Sequence, residues 1–227
     1  MTRSSTFLAT ITFFAALAGS SISNAQSTVG DIVVVNRQTL LLVDDVSMSL
    51  TNIFDGSIGE VQLADINIRD GLVYGVAYNE LYRFNTSTNT TTLVAELPEE
   101  PRALTLDQNG DFIGADRTNG VYRVDANSGA ITTLYEDSFF RPSDVVVSAN
   151  GDIYVAESTR SLSRLRNGVF TTIVDFATDH VTNVAIGNDG YLYTTDVSTA
   201  HIKRIHPTTG DSQIISTTDF TSHRELA

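Results

Sequence analysis

The chain contains no cysteine and no tryptophan. Without thiols there is no disulfide framework and no site for cysteine lipidation, so stability must come from packing. Without tryptophan there is no indole cage to grip a sugar. Basic residues are also scarce: 14 Lys and Arg stand against 27 Asp and Glu, giving a formal charge of −13. Such a surface repels nucleic acid and anionic lipid headgroups, and its acidity suits solubility or cation binding. No serine occupies a G-x-S-x-G elbow, and no glycine-rich loop is of the phosphate-cradling kind. Beyond residue 25 no segment has a convincing helical period, and no Pro- or Gly-rich linker divides the chain, which reads as one all-β domain.

The N-terminus has a different character. Arg3 precedes an apolar run over residues 6–18 that is too short to span a bilayer. Ser23, Asn24 and Ala25 follow, with small residues at the −3 and −1 positions of a signal-peptidase site. A signal peptide over residues 1–25 is predicted, leaving a mature domain over 26–227. Its expected location is secreted or periplasmic, with no membrane attachment after cleavage.

The mature region repeats itself. Turn glycines at Gly71, Gly110, Gly151 and Gly190 are 39, 41 and 39 residues apart. An apolar strand precedes each one, and a strand rich in aromatic and β-branched residues follows. A fixed period of this size in an all-strand sequence predicts the four-stranded blades of a β-propeller.

Residues 101–140 illustrate the unit. A strand over 103–106 leads into the turn at Gly110, and a second strand covers 111–115. A turn at Gly120 gives a third strand over 121–124, and a turn at Gly129 gives an outer strand over 131–135. Outer strands are expected likewise over 91–95, 170–174 and 213–216. At the start, residues 30–37 align with 110–117, the second strand of a unit; at the end, residues 224–227 align with 102–105, the start of a first strand. About five blades are therefore present. Two arrangements stay open: a five-bladed ring closed by pairing the two ends, or part of a longer, six-bladed propeller.

Residues 148–157, Ser-Ala-Asn-Gly-Asp-Ile-Tyr-Val-Ala-Glu, resemble the D-x-x-G-N-I-Y-V-A-D core of NHL-type and SMP-30/gluconolactonase-like propellers. Residues 188–196 and 201–205 resemble the continuation of that motif, and the likeness runs over residues 30–220. The resemblance implies the propeller fold and a superfamily of lactonases, lyases and binding modules. It also implies a divalent metal in the channel of lactonase members, held by Glu, Asn and Asp. The matching positions here are Arg102, Ser143 and Thr182, which depart from that set.

One residue further along stand Asp144 and Asn183, with Glu225 in register and Asp65 joining them if the first turn is one residue shorter. Converging at a channel mouth, Asp65, Asp144, Asn183 and Glu225 would offer hard oxygen ligands suited to Ca²⁺. Capping of loops by the same side chains is the alternative. A second set, Asn36, Asp116, Glu157 and Asp196, recurs with Arg83, Arg123, Arg164 and Arg204. Recurrence in every blade points to a structural task, such as hydrogen bonds to the next turn or acid–arginine pairs. Lyase members of the superfamily use His and Glu, which makes His180 and His223, each before an inner strand, the candidates for a base and its partner. The sequons at Asn85 and Asn89 are read as turn chemistry. The expected function is an exported binding or interaction scaffold that engages a small molecule or protein at the channel mouth or on one face. A calcium-type lactonase or hydrolase, and a streptogramin-lyase-like enzyme, are the alternatives.

Overall fold

The computed structural model describes residues 32–36, 39–43, 50–52, 61–67, 72–85, 88, 90–136, 141–158, 161–176, 181–196 and 201–216. The expected leader over 1–25 lies outside them. Among the described residues there are five antiparallel sheets. The first has three strands, β1 (Ile32–Asn36), β2 (Thr39–Val43) and β3 (Leu50–Asn52). The others have four each, in simple meander order. The first blade is β4 (Val61–Asn67), β5 (Leu72–Ala77), β6 (Glu80–Asn85) and β7 (Thr90–Glu96). The second is β8 (Ala103–Leu106), β9 (Phe112–Asp116), β10 (Gly120–Val124) and β11 (Ile131–Tyr135). The third comprises β12 (Pro142–Val147), β13 (Ile153–Glu157), β14 (Ser161–Arg166) and β15 (Val169–Asp175). The fourth comprises β16 (Val181–Ile186), β17 (Leu192–Asp196), β18 (His201–Ile205) and β19 (Ser212–Ser216).

The inner strands stand side by side, β4 next to β8, β8 next to β12 and β12 next to β16. Sheets that radiate from adjoining inner strands are the blades of a β-propeller. β9 also touches β12, and β13 touches β16; β1 meets β4 in the same way. This makes β1 the second strand of its unit, in line with the alignment of residues 30–37 to 110–117.

The inner hairpins are built by the turn residues. In the second blade Gly110 takes φ 82° and donates its N–H to the Asp107 carbonyl at 3.0 Å. Asp107 Oδ1 accepts the backbone N–H groups of Asn109 at 2.8 Å and Asp111 at 3.0 Å. These bonds keep Asp111 in the turn, so the second strand begins at Phe112, one residue later than expected. Between the third and fourth strands of each four-stranded blade the register shifts by a bulge, which adds twist toward the rim.

Burial explains why the second strands read as nearly continuous apolar runs. Every residue of β9 is buried, because alternate side chains serve two different interfaces. Phe112 packs with Tyr74, Val76 and Leu81 of the first blade, whereas Ile113 and Ala115 pack with Val145, Ile153 and Val155 of the third. Tyr154 and Ala156 face the fourth blade, against Val181, Val184 and Leu192. Each fully buried large apolar side chain contributes about 1.5–3 kcal/mol, so these inter-blade layers form the core. Tyr74 and Tyr154 are packing residues, while Tyr78 is 55% exposed.

Candidate functional site

The inner-strand positions come first, because the sequence points there. Asp144 lies on β12 opposite Ala156, and Asn183 lies on β16 opposite Thr195, at equivalent levels. Both are engaged by their own fold. Asp144 Oδ1 accepts the Val145 N–H at 2.8 Å, and Oδ2 accepts the Val184 N–H of the next blade, also at 2.8 Å. Asn183 Oδ1 accepts the hydroxyls of Thr182 at 2.8 Å and Thr195 at 3.2 Å. The Ser143 hydroxyl adds a further clasp between these blades, reaching the carbonyls of Ala156 at 3.0 Å and Val181 at 3.2 Å.

Asp65 lies on β4 opposite Tyr74, the level held by Val146 opposite Tyr154 and Ala185 opposite Tyr193. It therefore stands two positions further along its strand than Asp144 and Asn183. Glu225, His180 and His223 fall outside the described residues. Among the described residues no three Asp, Glu or His side chains gather where they could hold a metal ion.

Two of the recurrent acids at the ends of the second strands bond within their own blade, Asp116 to a turn and Glu157 to the neighbouring strand. Asp116 is fully buried, and its Oδ1 accepts the N–H groups of Thr118 at 2.8 Å and Asn119 at 2.6 Å. Glu157 accepts the Ser163 hydroxyl at 2.7 Å. Two of the recurrent arginines, Arg123 and Arg204, reach back to aspartates of the inner turns rather than to those acids. Arg204 donates Nε to Asp189 Oδ2 at 2.9 Å, with Nη2 at 2.8 Å, and stacks over Tyr191 at 3.3 Å from the ring centre. Burial pushes the Asp189 carboxyl up, but bonds from Arg204, Tyr193 and the Tyr191 N–H together bring it below the usual carboxylate range. In the third blade it is Arg166 that grips the inner turn, with Nε at 2.6 Å from Asp152 Oδ1 and Nη2 on Oδ2. That fork holds Asp152 below the usual range against the burial that opposes it.

The second blade breaks this pattern. Arg123 Nη2 comes only to 3.2 Å from Asp107 Oδ2, and its Nε is buried without a hydrogen-bond partner. The other oxygen, Asp107 Oδ1, already serves two turn N–H groups. This half-open arginine borders a cleft of about 240 Å³ between the second and third blades. Asp107, Asn109, Arg123 and Asn150 supply its polar wall, and Ile113 and Ile153 its apolar one. Gln108 spans the mouth, donating Nε2 to the Ser148 carbonyl of the next turn at 3.3 Å. Sequence reasoning treated Arg123 as one of four equivalent arginines and so passed over this site. The distinguishing signal was local: Asp107 opens a turn whose N–H groups also bond its carboxylate.

No family model matches the chain, and no curated protein matches it. Solved structures do. Virginiamycin B lyase from Staphylococcus aureus superposes with a TM-score of 0.71 at 17% identity, over 87% of this chain and 70% of that one. A chain of a nidogen–laminin complex gives 0.67 at 12% identity, over 80% and 73%. YCF48 bound to a D1 peptide gives 0.63 at 14% identity, over 82% and 65%. At such identities the likeness is one of fold, and it places the chain among the β-propellers.

Proposed function

We propose that the protein is an exported binding scaffold, a propeller of the NHL and SMP-30-like kind, that engages its partner through the cleft between the second and third blades. The carrying observation is the Arg123 guanidinium: a charged group on a side chain 42% exposed, which lines the cleft and is tied to Asp107 only through Nη2 at 3.2 Å. A guanidinium carries five N–H donors, so its exposed edge has donors left for a ligand oxygen delivered to the cleft. The inner-strand ring offers less, because Asp144 and Asn183 would have to leave inter-blade bonds before they could serve a metal. Propellers of similar fold include one bound to a peptide and one in a protein–protein complex, which supports recognition as a use of this architecture.

A single reporter tests the reading. The chain has no cysteine, so Asn109→Cys creates one unique thiol at the cleft for an environment-sensitive fluorophore. Titration with a set of neutral and charged dipeptides should give saturable emission changes for some of them, and these should vanish when Arg123→Gln is added. Responses that survive Arg123→Gln, or none at all, would contradict the assignment.

A further inference from the structure

We infer that the cleft takes a carboxylate, and that the short outer hairpin of the third blade leaves the way to it open. The inference rests on the cleft being the binding surface and adds why it is open and what chemistry it selects. Six residues separate Val124 from Ile131 in the second blade and Ile205 from Ser212 in the fourth, but only four separate Leu165 from Phe170 in the third. In the longer turns Gly129 and Gly210 lie on the outer strand of the preceding blade, where a Cβ would collide with the carbonyl oxygen of Val94 or Ile173. Gly168, in the short turn, meets nothing within 4 Å. The boundary between the second and third blades therefore lacks the closure that its two neighbours have. Tyr135 and Phe170 stack across it at 4.3 Å, on the apolar layer that also holds Ile113 and Ile153 of the cleft.

The accessible wall of the cleft is made of donors. The Arg123 side chain is 42% exposed and that of Asp107 only 5%. Both Asp107 oxygens are engaged, Oδ1 by the N–H groups of Asn109 and Asp111 and Oδ2 by Arg123 Nη2. Among the described residues that line the cleft, Asp107 is the one carboxylate. Asn109 and Asn150 are both exposed. Asn150 Oδ1 already holds the Ser148 hydroxyl at 2.5 Å and the Asp152 N–H at 3.3 Å, so what this side chain can offer a ligand is N–H. A carboxylate meets such a wall with charge-assisted bonds and can span two N–H groups of a guanidinium at once. A neutral oxygen gains only the weaker uncharged bond, and a cation meets Arg123 as a like charge. The chain's net charge of −13 opposes this only from a distance, and at physiological salt it is screened over about 8 Å.

Two probes that differ in one group make the test: sodium N-acetylglycinate and the neutral N-acetylglycine N-methylamide. Each is titrated into ¹⁵N-labelled protein at pH 7 while the amide signals of Asn150 and Gly151 are followed. The carboxylate should shift them saturably, with a Kd on the order of 10 mM for so small a probe, and the diamide should bind at least about fivefold more weakly. Replacing Asn167 and Gly168 by the Ala-Asn-Ser-Gly of residues 126–129 should close the boundary and weaken carboxylate binding at least about fivefold. Arg123→Gln leaves every turn intact and should erase the difference between the probes, whether or not the lengthened hairpin folds. A diamide that binds as tightly as the carboxylate, or a preference that survives Arg123→Gln, would overturn the selection and leave the cleft as the binding surface. An affinity unchanged by the longer hairpin would overturn the part assigned to the short one. If neither probe moves the signals, the cleft itself is refuted as the binding surface.

Discussion

The carboxylate of Asp144 in the third blade accepts the backbone N–H of Val184 in the fourth at 2.8 Å. The residue that sequence reasoning placed first among candidate metal ligands is thus a covalently remote staple between two sheets. Asp144→Ala leaves two backbone donors without their acceptor, and the expected loss is about 1–3 kcal/mol. Thermal unfolding of wild type and variant, each in excess calcium and in chelator, checks the role. An equal loss in both buffers is predicted. A wild type that gains a higher midpoint in calcium, with the gain absent in the variant, would make Asp144 a ligand.

Gly114 and Tyr122 face each other across β9 and β10. A Cβ at position 114 would stand 2.5 Å from the Tyr122 ring, and that ring is fully buried. Gly114→Ala is predicted to cost about 1–3 kcal/mol through overpacking, read as a lower denaturation midpoint. The Tyr122 hydroxyl is buried without a partner, and burial drives its proton loss well above the usual tyrosine range, with Asp116 and Glu99 adding to the effect. Tyr122→Phe removes that orphan group and should be neutral or stabilising; a clear loss of stability would mean that the hydroxyl has a partner in solution.

The Asp152–Arg166 fork sets an acid limit on the third blade. Because Arg166 lowers the Asp152 carboxyl, its contribution is present above the unfolded value near 4 and is lost as pH falls through the lower native value. Arg166 is partly exposed, so solvent screens the pair and Arg166→Gln should lower the denaturation midpoint only modestly at pH 7. Denaturation curves of the two proteins should converge as pH falls from 7 to below about 4. A constant gap across that range would contradict the pairing.

His206 occupies the turn position held by Asp125 in the second blade. Asp125 Oδ1 accepts the N–H groups of Asn127 at 3.0 Å and Ser128 at 2.7 Å. His206 Nδ1 accepts those of Thr208 at 3.3 Å and Thr209 at 3.2 Å. The Tyr191 ring meets the imidazole edge-on, and Asp211 holds the Thr209 hydroxyl at 2.7 Å. His206→Ala removes Nδ1 as an acceptor, so the Thr208 and Thr209 amides should exchange with solvent faster than in the wild type, whereas His206→Asp should keep them protected. Exchange unchanged in His206→Ala would show that the turn does not depend on Nδ1.

The second, third and fourth blades were legible because they carry the same punctuation: a turn glycine with positive φ, then a largely buried strand. Gly110, Gly151 and Gly190 all take φ between 77° and 83°, a constraint visible at one position per repeat. The structural role of Asp116 was legible for the same reason. The use of Asp144 was not, since an inward carboxylate and an inter-blade staple differ only by which N–H lies opposite, and Val184 is 40 residues away. The arginine partners were hidden too. Sequence register pairs Arg164 with Tyr154 across the strands, yet the residue that grips the inner turn is Arg166, where a two-residue hairpin at Asn167 and Gly168 shortens the unit. The single contact of Arg123, through Nη2 to Asp107 Oδ2 at 3.2 Å, is a matter of local geometry that no repeat pattern records.

Crystals of the protein soaked with a cocktail of small amides, carboxylates and sugars would test the central claim most directly. The account predicts ordered density between the second and third blades, with a fragment oxygen within hydrogen-bond distance of the exposed edge of the Arg123 guanidinium. Fragments that gather instead around Asp144 and Asn183 at the inner strands, leaving the cleft empty, would contradict it.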